Sequence, residues 1–165
     1  MQYAKDSFYM ALRGRLAVVN PLRTVTLFGI VRPAVVVAEN EPGTADVPLS
    51  EVFYLRFGAV QPVVMEQAAK RPMLALNCEI AYRTDGTAGN NNVDRGRLLA
   101  ALDLELLQIS APPWIEKQDY TVTPSVDLGT RLLWQRPQFA AMEEVGNELR
   151  RQANITIFFF PEMDY

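Results

Sequence analysis

Histidine is absent from the 165 residues of the chain, and cysteine occurs once. Without histidine the chain lacks the commonest general base and the commonest metal ligand of proteins, which argues against enzymes and metalloproteins. The single Cys78 cannot form an internal disulfide, as is typical of proteins that fold in a reducing cytoplasm. Cys78 lies on the apolar side of a predicted strand, and we interpret it as a core residue rather than a reactive thiol.

The familiar motifs of catalysis and cofactor binding are missing as well. No CxxC pair, HExxH, GxxxxGK[ST], GxGxxG or GxSxG occurs in the chain. We therefore predict a protein that is not an enzyme and that has no catalytic residues, no cofactor and no bound metal. No apolar run approaches the ~20 residues of a membrane-spanning helix. The N-terminus enters a helical pattern directly, so we expect no secretory signal.

The charge balance is slightly acidic, with 19 Asp and Glu against 16 Lys and Arg. The resulting net charge of -3 argues against a dedicated nucleic-acid binder, which needs clustered basic residues to neutralise phosphates. Hydrophobic residues make up 49% and charged residues 21% of the chain, which is typical of an ordinary globular protein. Nothing divides the sequence, and its length suits one substantial core, so we predict a single domain over residues 1–165.

The clearest helical pattern covers residues 93–109, and we predict that this helix is the centre of the fold. Its apolar stripe comprises Leu98, Leu99, Leu102, Leu106 and Ile109. Asn92 or Asp94 suits the N-cap, and Ser110 with the following prolines ends the helix. Leu104 and Leu107 fall on the opposite side, which a monomer normally leaves polar. We therefore predict that another part of the chain or another subunit covers them.

A first helix and several strands are predicted around the central helix. The first helix covers residues 6–19, with Asp6 or Ser7 as its cap and Asn20 at its end. Strands are predicted at 24–30, 33–39, 52–57, 73–83, 129–136 and 147–160, loops at 40–48 and 84–92, a helical turn at 65–70, and an extended connection at 111–128. This pattern predicts an α+β fold, in which a mixed or antiparallel β-sheet is packed on one face by the central helix and the N-terminal helix.

Several apolar side chains stand where solvent is expected. In the closing strand, Phe158 and Phe160 project to the side opposite the apolar row, which is more typical of a contact surface than of a solvent-facing strand. Trp114 is interpreted as a core or interface anchor rather than a ligand stacker. The predicted subunit-interface residues are therefore Leu104, Leu107, Trp114, Phe158 and Phe160.

Two carboxylates, Asp103 and Glu105, lie on the central helix. At positions i and i+2 they diverge by about 200° around the helix axis, so they cannot form an acid-base pair from that helix alone. We interpret them as part of a solvated or inter-subunit face. At the start of the same helix, Asp94 opposes anion binding, and we interpret the segment 94–97 as a cap with surface salt bridges.

The order of elements resembles that of tail terminator proteins of tailed bacteriophages and prophages, the group that includes the lambda-type terminator. The strings that carry this resemblance are Val19-Asn20-Pro21, Arg32-Pro-Ala-Val-Val-Val37, Phe53-Tyr-Leu-Arg-Phe57, Leu76-Asn-Cys-Glu-Ile-Ala-Tyr82, Val93-Asp-Arg-Gly-Arg97, Gln118-Asp-Tyr-Thr121, Asp127-Leu-Gly129 and Ile155-Thr-Ile-Phe-Phe-Phe160. The chain is longer than the lambda-type protein, so segments 59–72 and 111–128 are expected to be elaborations.

The resemblance implies a structural virion protein without catalytic residues, assembled in the host cytoplasm as a hexameric ring. Such a ring caps the head-proximal end of the tail tube, ends tube polymerisation and provides the joint to the head-completion or neck proteins. DNA passes through its lumen without specific binding, and an acidic subunit suits that passage because it repels phosphates.

Two other classes stay open at the level of sequence. The first is a head-tail connector, which is also a structural neck protein but binds on the portal side. The second is a small cytoplasmic enzyme or ligand-binding domain that uses Asp103, Glu105, Tyr82 or Arg83.

Overall fold

The computed structural model describes residues 1–41, 49–63, 72–85 and 94–161. The predicted helical turn at 65–70 and most of the predicted loops 40–48 and 84–92 lie outside the described residues. Within the described ranges, two helices pack on an eight-stranded mixed β-sheet, and a two-stranded hairpin stands apart from that sheet. This arrangement confirms the predicted α+β class.

The helices are α1 (Gln2–Val19) and α2 (Asp94–Ile109), and both end where the sequence predicted. The predicted start of α1 at Asp6 or Ser7 is wrong, because the helix begins a turn earlier and has Met1 at its N-cap. Ser7 is fully buried, and its hydroxyl bonds a neighbouring strand instead of capping the helix. In α2 the predicted stripe is confirmed for Leu99, Leu102, Leu106 and Ile109, which are buried, whereas Leu98 is half-buried.

The described strands are β1 (Thr24–Leu27), β2 (Ile30–Pro33), β3 (Val35–Val37), β4 (Phe53–Pro62), β5 (Leu74–Thr84), β6 (Trp114–Asp119), β7 (Val126–Trp134), β8 (Gln138–Phe139), β9 (Glu143–Val145) and β10 (Glu148–Phe159). The main sheet has the order β3-β4-β5-β10-β7-β6. Its central strand β10 pairs with β5 from Leu149 to Phe159. On its other side β10 meets β9, β8 and β7 in turn.

The helices cover one face of this sheet, which we call the inner face. Strand β10 supplies Leu149, Ala153, Ile155, Ile157 and Phe159 to that face, as the sequence predicted, and all five are buried. Strand β5 supplies alternate residues from Leu76 to Tyr82. Cys78 is among them and is fully buried, so burial raises the pKa of its thiol and keeps it protonated.

The segment predicted as one strand at 24–30 is a β-hairpin instead. Strands β1 and β2 pair antiparallel, with Thr24 opposite Pro33 and Leu27 opposite Ile30. The turn between them is Phe28–Gly29, and both residues have positive φ, 51° and 78°. A two-residue turn with positive φ at both positions matches the twist of a hairpin. The expected break at Arg32–Pro33 is therefore only the end of β2.

The predicted connection at 111–128 contains β6 and the beginning of β7, which pair from Trp114 to Asp119. One edge of β6 faces β7, and its outer edge faces α1. There the backbone N–H of Gln118 donates to Ser7 Oγ at 2.9 Å, and the Ser7 hydroxyl donates to the Gln118 carbonyl at 3.3 Å. Because unpaired strand edges template further pairing, this contact blocks strand addition at Gln118.

Candidate functional site

Two of the predicted interface residues come together on the outer face of the sheet. Trp114 of β6 lies opposite Leu133 of β7, and Leu133 lies opposite Phe158 of β10. Residues that face each other across antiparallel strands project to the same side, so these three side chains form one line across the sheet. We call this line the outer row; 42% of Trp114 and 47% of Leu133 are exposed, and Phe158 is half-buried.

Phe160, another predicted interface residue, lies two positions beyond Phe158 and is also exposed. Its carbonyl accepts a hydrogen bond from the buried Lys117 ammonium at 2.8 Å. At the other end of the outer row, the Arg131 guanidinium lies 4.9 Å from the centre of the Trp114 ring and bonds Glu116 at 2.7 Å. A cation over an indole face holds the ring in place. The outer row is thus bordered by ordered polar groups.

Leu133 was not predicted as an interface residue, although the sequence carried the signal. In β7 the neighbours Leu132 and Trp134 are buried, so the strand alternation directs Leu133 outward. The pairing of β7 with both β6 and β10 could not be read from one sequence. Without it, Trp114 and Phe158 were two separate predictions.

The backbone of Trp114 is fixed from α1. Arg15 donates to the carbonyl oxygens of Ile109, Pro112 and Trp114 at 3.1, 2.8 and 3.1 Å. The bond to Ile109 satisfies a carbonyl at the end of α2, where no further helical turn is available to do so, and the other two bonds hold the segment that leads into β6. Burial lowers the pKa of Arg15. One sequence carries no sign of this contact, because it joins residues almost a hundred positions apart.

Leu104 and Leu107 lie on the outward side of α2 and are 55% and 41% exposed. Their neighbours Leu102 and Leu106 are buried against the sheet. Because α2 packs on the inner face, the outward side of α2 and the outer row lie on opposite sides of the helix-sheet layers. In the described part of the chain both surfaces are open to solvent.

The carboxylates of α2 do not form a solvated face, and for Glu105 that interpretation is wrong. Glu105 is only 9% exposed, accepts a hydrogen bond from the Asn20 amide at 2.7 Å and is ion-paired with Arg23. Arg23 also bonds Glu51 at 2.7 Å. These contacts tie the turn after α1 to α2, beside a cleft of about 300 Å³ that Arg23 and Glu51 line.

Asp103 is bound from two strands of the sheet. The Tyr82 hydroxyl donates to Asp103 at 2.5 Å, and the Arg151 guanidinium pairs with it at 3.1 Å. Burial, together with the Asp103 carboxylate, raises the pKa of Tyr82. The neighbouring Arg83 pairs with Glu148 at 2.7 Å. Tyr82, Arg83, Asp103 and Glu105 are therefore all engaged in contacts between elements.

The start of α2 carries the salt bridge that the sequence indicated. Asp94 occupies the first turn, and Arg95 lies 3.5 Å from Glu144 and donates to the carbonyl of Asn147 at 2.9 Å. Among the described residues, no group of three or more His, Cys, Asp and Glu could hold a metal ion. Neither described helix is long and apolar enough to cross a membrane.

Comparison with known proteins gives a structural likeness alone. No protein-family model matches the chain, and no curated protein matches it. Among solved structures, the chain is similar to one from the virion of a native gene transfer agent particle, with 17% identical residues and a TM-score of 0.39. The match covers 93% of this chain and 92% of that chain. A likeness of this size transfers no function, so function is argued below from the surfaces of this chain.

Proposed function

We propose that this chain is a structural virion protein that forms a ring at the head-proximal end of a phage tail tube. In this proposal the ring is a homohexamer, ends polymerisation of the tube and joins it to a head-completion or neck protein. In this proposal the chain has no catalytic activity. The resemblance of the element order of this chain to that of tail terminator proteins supports this assignment.

The observation that carries the proposal is the pair of exposed apolar surfaces on opposite sides of one chain. One surface is the outer row with Trp114 and Leu133, and the other is the outward side of α2 with Leu104 and Leu107. A two-fold dimer would use one patch twice, whereas two different patches fit a head-to-tail contact. Head-to-tail contacts close into rings when the rotation between copies divides a full turn.

The acidic balance of the chain fits the passage of DNA through such a ring. The full sequence has a net charge of -3, and six copies would carry six times that charge. A negative lumen repels phosphates, so DNA would move through it without being held. The proposed partners are therefore further copies of the chain, the tail tube protein and a neck protein. DNA passes through the lumen and is not bound specifically.

Sedimentation and negative-stain electron microscopy of the purified protein test the ring. We expect closed rings with a central hole. We expect Leu107→Glu and Leu133→Glu to sediment as folded monomers, because each places a charge in one of the two surfaces. Met142→Glu is the control, since Met142 is 48% exposed but lies outside both surfaces. Wild-type protein that remains monomeric at high concentration would overturn the proposal.

The position in the tail needs a second measurement. Purified rings are added to polymerising tail tube protein, and tube length is followed by electron microscopy. A terminator stops elongation at one end, so tube length should fall as the ratio of rings to tube protein rises. Tubes that elongate unchanged, with rings that bind the portal side instead, would favour the head-tail connector.

A further inference from the structure

The β1–β2 hairpin exposes large apolar side chains to solvent at its tip. Phe28 at its tip is 83% exposed, and Ile30 and Val31 are each 65% exposed. Ile30 and Val31 are consecutive in the strand, so they project to opposite faces of the hairpin. At the tip of this two-stranded ribbon apolar side chains are therefore exposed on both faces, whereas nearer the base Val25, on the same face as Ile30, is buried.

Two further features characterise the tip of the hairpin. Phe28 holds a left-handed backbone conformation with φ of 51°, which costs an L-residue about 1–2 kcal/mol. The eight residues Thr24–Val31 carry no charge and are rich in β-branched side chains. Natural strand edges normally carry proline or charged side chains that prevent association. In β2 these residues are Arg32 and Pro33 at the base of the hairpin, so the tip alone lacks them.

We propose that the β1–β2 hairpin is an assembly arm that seats Phe28 on the outer row of the next copy of this chain. This inference rests on the proposed ring, and it names the contact by which one copy binds the next. The juxtaposition is between the hairpin tip of one copy and Trp114, Leu133 and Phe158 of its neighbour.

The hairpin is continuous with the outward side of α2. Its base is held there, because Asn20 and Arg23 both bond Glu105, the residue next to Leu104. Leu22, in the turn between α1 and β1, and Val18, at the end of α1, are exposed as well. The exposed apolar residues of this arm surface are Val18, Val19, Leu22, Phe28, Ile30, Val31, Leu104 and Leu107.

The size of the arm surface indicates a protein partner. With about 150–200 Å² for each large apolar side chain, the exposed fractions give roughly 800 Å² of apolar surface. The largest apolar patch on a typical monomer is only about 300–600 Å². A stable protein interface buries about 800 Å² on each partner, so the arm surface matches one side of such an interface.

The outer row offers an apolar seat for the hairpin tip on the same chain. Its three side chains lie on neighbouring strands about 4.8 Å apart, so they form one continuous apolar platform. The Trp114 ring is already held by Arg131, and a rigid aromatic group costs little entropy on binding. An exposed phenylalanine on a ribbon fits such a platform edge to face. A second copy of the chain is therefore the occupant that we assign.

Mixing of two variants tests the contact. Phe28→Glu damages the arm and leaves the outer row intact, and Leu133→Glu does the reverse. We expect each variant alone to associate at least about 30-fold more weakly than wild type, as expected for a hot-spot residue. A mixture of the two should form a one-to-one dimer, because one intact arm meets one intact row. Met142→Glu should assemble as the wild type does.

A cysteine pair gives a direct readout of the same contact. The native Cys78 is fully buried, so introduced cysteines are the reactive thiols. Phe28→Cys mixed with Leu133→Cys should give disulfide-linked dimers under mild oxidation. Leu133→Cys mixed with Met142→Cys is the control and should give none.

Each remaining outcome would contradict the proposal that the hairpin binds the outer row of the next copy. If Phe28→Glu forms the same rings as the wild type, the arm contact is wrong but the proposed ring stands. Two monomeric variants that do not pair on mixing would show that the arm and the outer row are not partners. Phe28→Glu rings that assemble but fail to stop tube growth would assign the hairpin to the tail tube protein instead. A monomeric wild type would reject both proposals.

Discussion

At the scale of single residues, the Tyr82 hydroxyl makes the free energy of unfolding depend on pH in the alkaline range. Tyr82 is 1% exposed and donates to Asp103, and burial raises its pKa above the ordinary value near 10. A raised folded-state pKa means that the stabilisation is complete below pH ~10. It is lost as the pH rises beyond that value, since only the unfolded chain then releases the proton.

The variant Tyr82→Phe measures this contribution. At pH 8 we expect it to lower the free energy of unfolding by about 1.5–3 kcal/mol, the range for a hydrogen bond to a charged partner. The difference from wild type should shrink as the pH rises above about 10. Urea unfolding at several pH values gives both numbers. A difference that stays constant from pH 8 to pH 11 would contradict the role of the proton.

Residue patterns predicted the apolar interior well and the polar contacts poorly. Cys78 and the inward residues of β10 follow directly from strand alternation. Glu105 and Ser7 were misread, because their partners Arg23 and Gln118 lie in other elements. A buried charge or hydroxyl is stable only beside its partner, and one sequence does not show that partner. The two predicted interface residues on α2 are exposed, and their coverage by another copy stays a prediction.

At the scale of elements, two glycines have opposite roles. Gly14 lies within α1, where an added Cβ would meet no atom within 4 Å. Gly29 lies in the hairpin turn with φ of 78°, a conformation that alanine adopts only with strain. The same substitution should therefore change stability in opposite directions at the two sites.

Alanine scanning of these two positions tests the element assignments. Gly14→Ala should stabilise the protein by about 0.5–1 kcal/mol, because alanine is the better helix former. Gly29→Ala should destabilise it by about 1–2 kcal/mol through strain in the left-handed region. Gly29→Asn should lose less than Gly29→Ala, since asparagine tolerates positive φ. Urea midpoints that move in the same direction for both alanine variants would contradict this account.

Element boundaries were predictable where propensity and packing agree. The ends of α2 and the alternation of β5 follow the sequence closely, because apolar period and stop signals coincide there. The hairpin was missed because Phe-Gly is an unusual pair for a turn with two positive φ values, which normally contains Asn-Gly or Gly-Gly. An aromatic residue at this position reads as a strand residue, and only the paired strands show otherwise.

At the scale of the whole molecule, assembly should raise thermal stability. Copies that bind the native chain and not the unfolded chain stabilise it by mass action. A tenfold rise in protein concentration can add up to about 1.4 kcal/mol, or roughly 3–5 °C in Tm for a chain of this size. Differential scanning fluorimetry over two decades of concentration measures the effect. Leu107→Glu should show a Tm that does not depend on concentration, and a wild type with the same flat response would contradict assembly.

The bond between Ser7 and Gln118 has a consequence for how such an assembly is held together. Where a helix occupies the rim of a sheet, a neighbour cannot continue the ladder of amide bonds from one molecule into the next. Adjacent molecules on that side then adhere through shape and side-chain chemistry alone. Fibril-like growth by strand addition is therefore blocked at Gln118. The number of copies in the assembly then depends on the angle between two neighbouring copies.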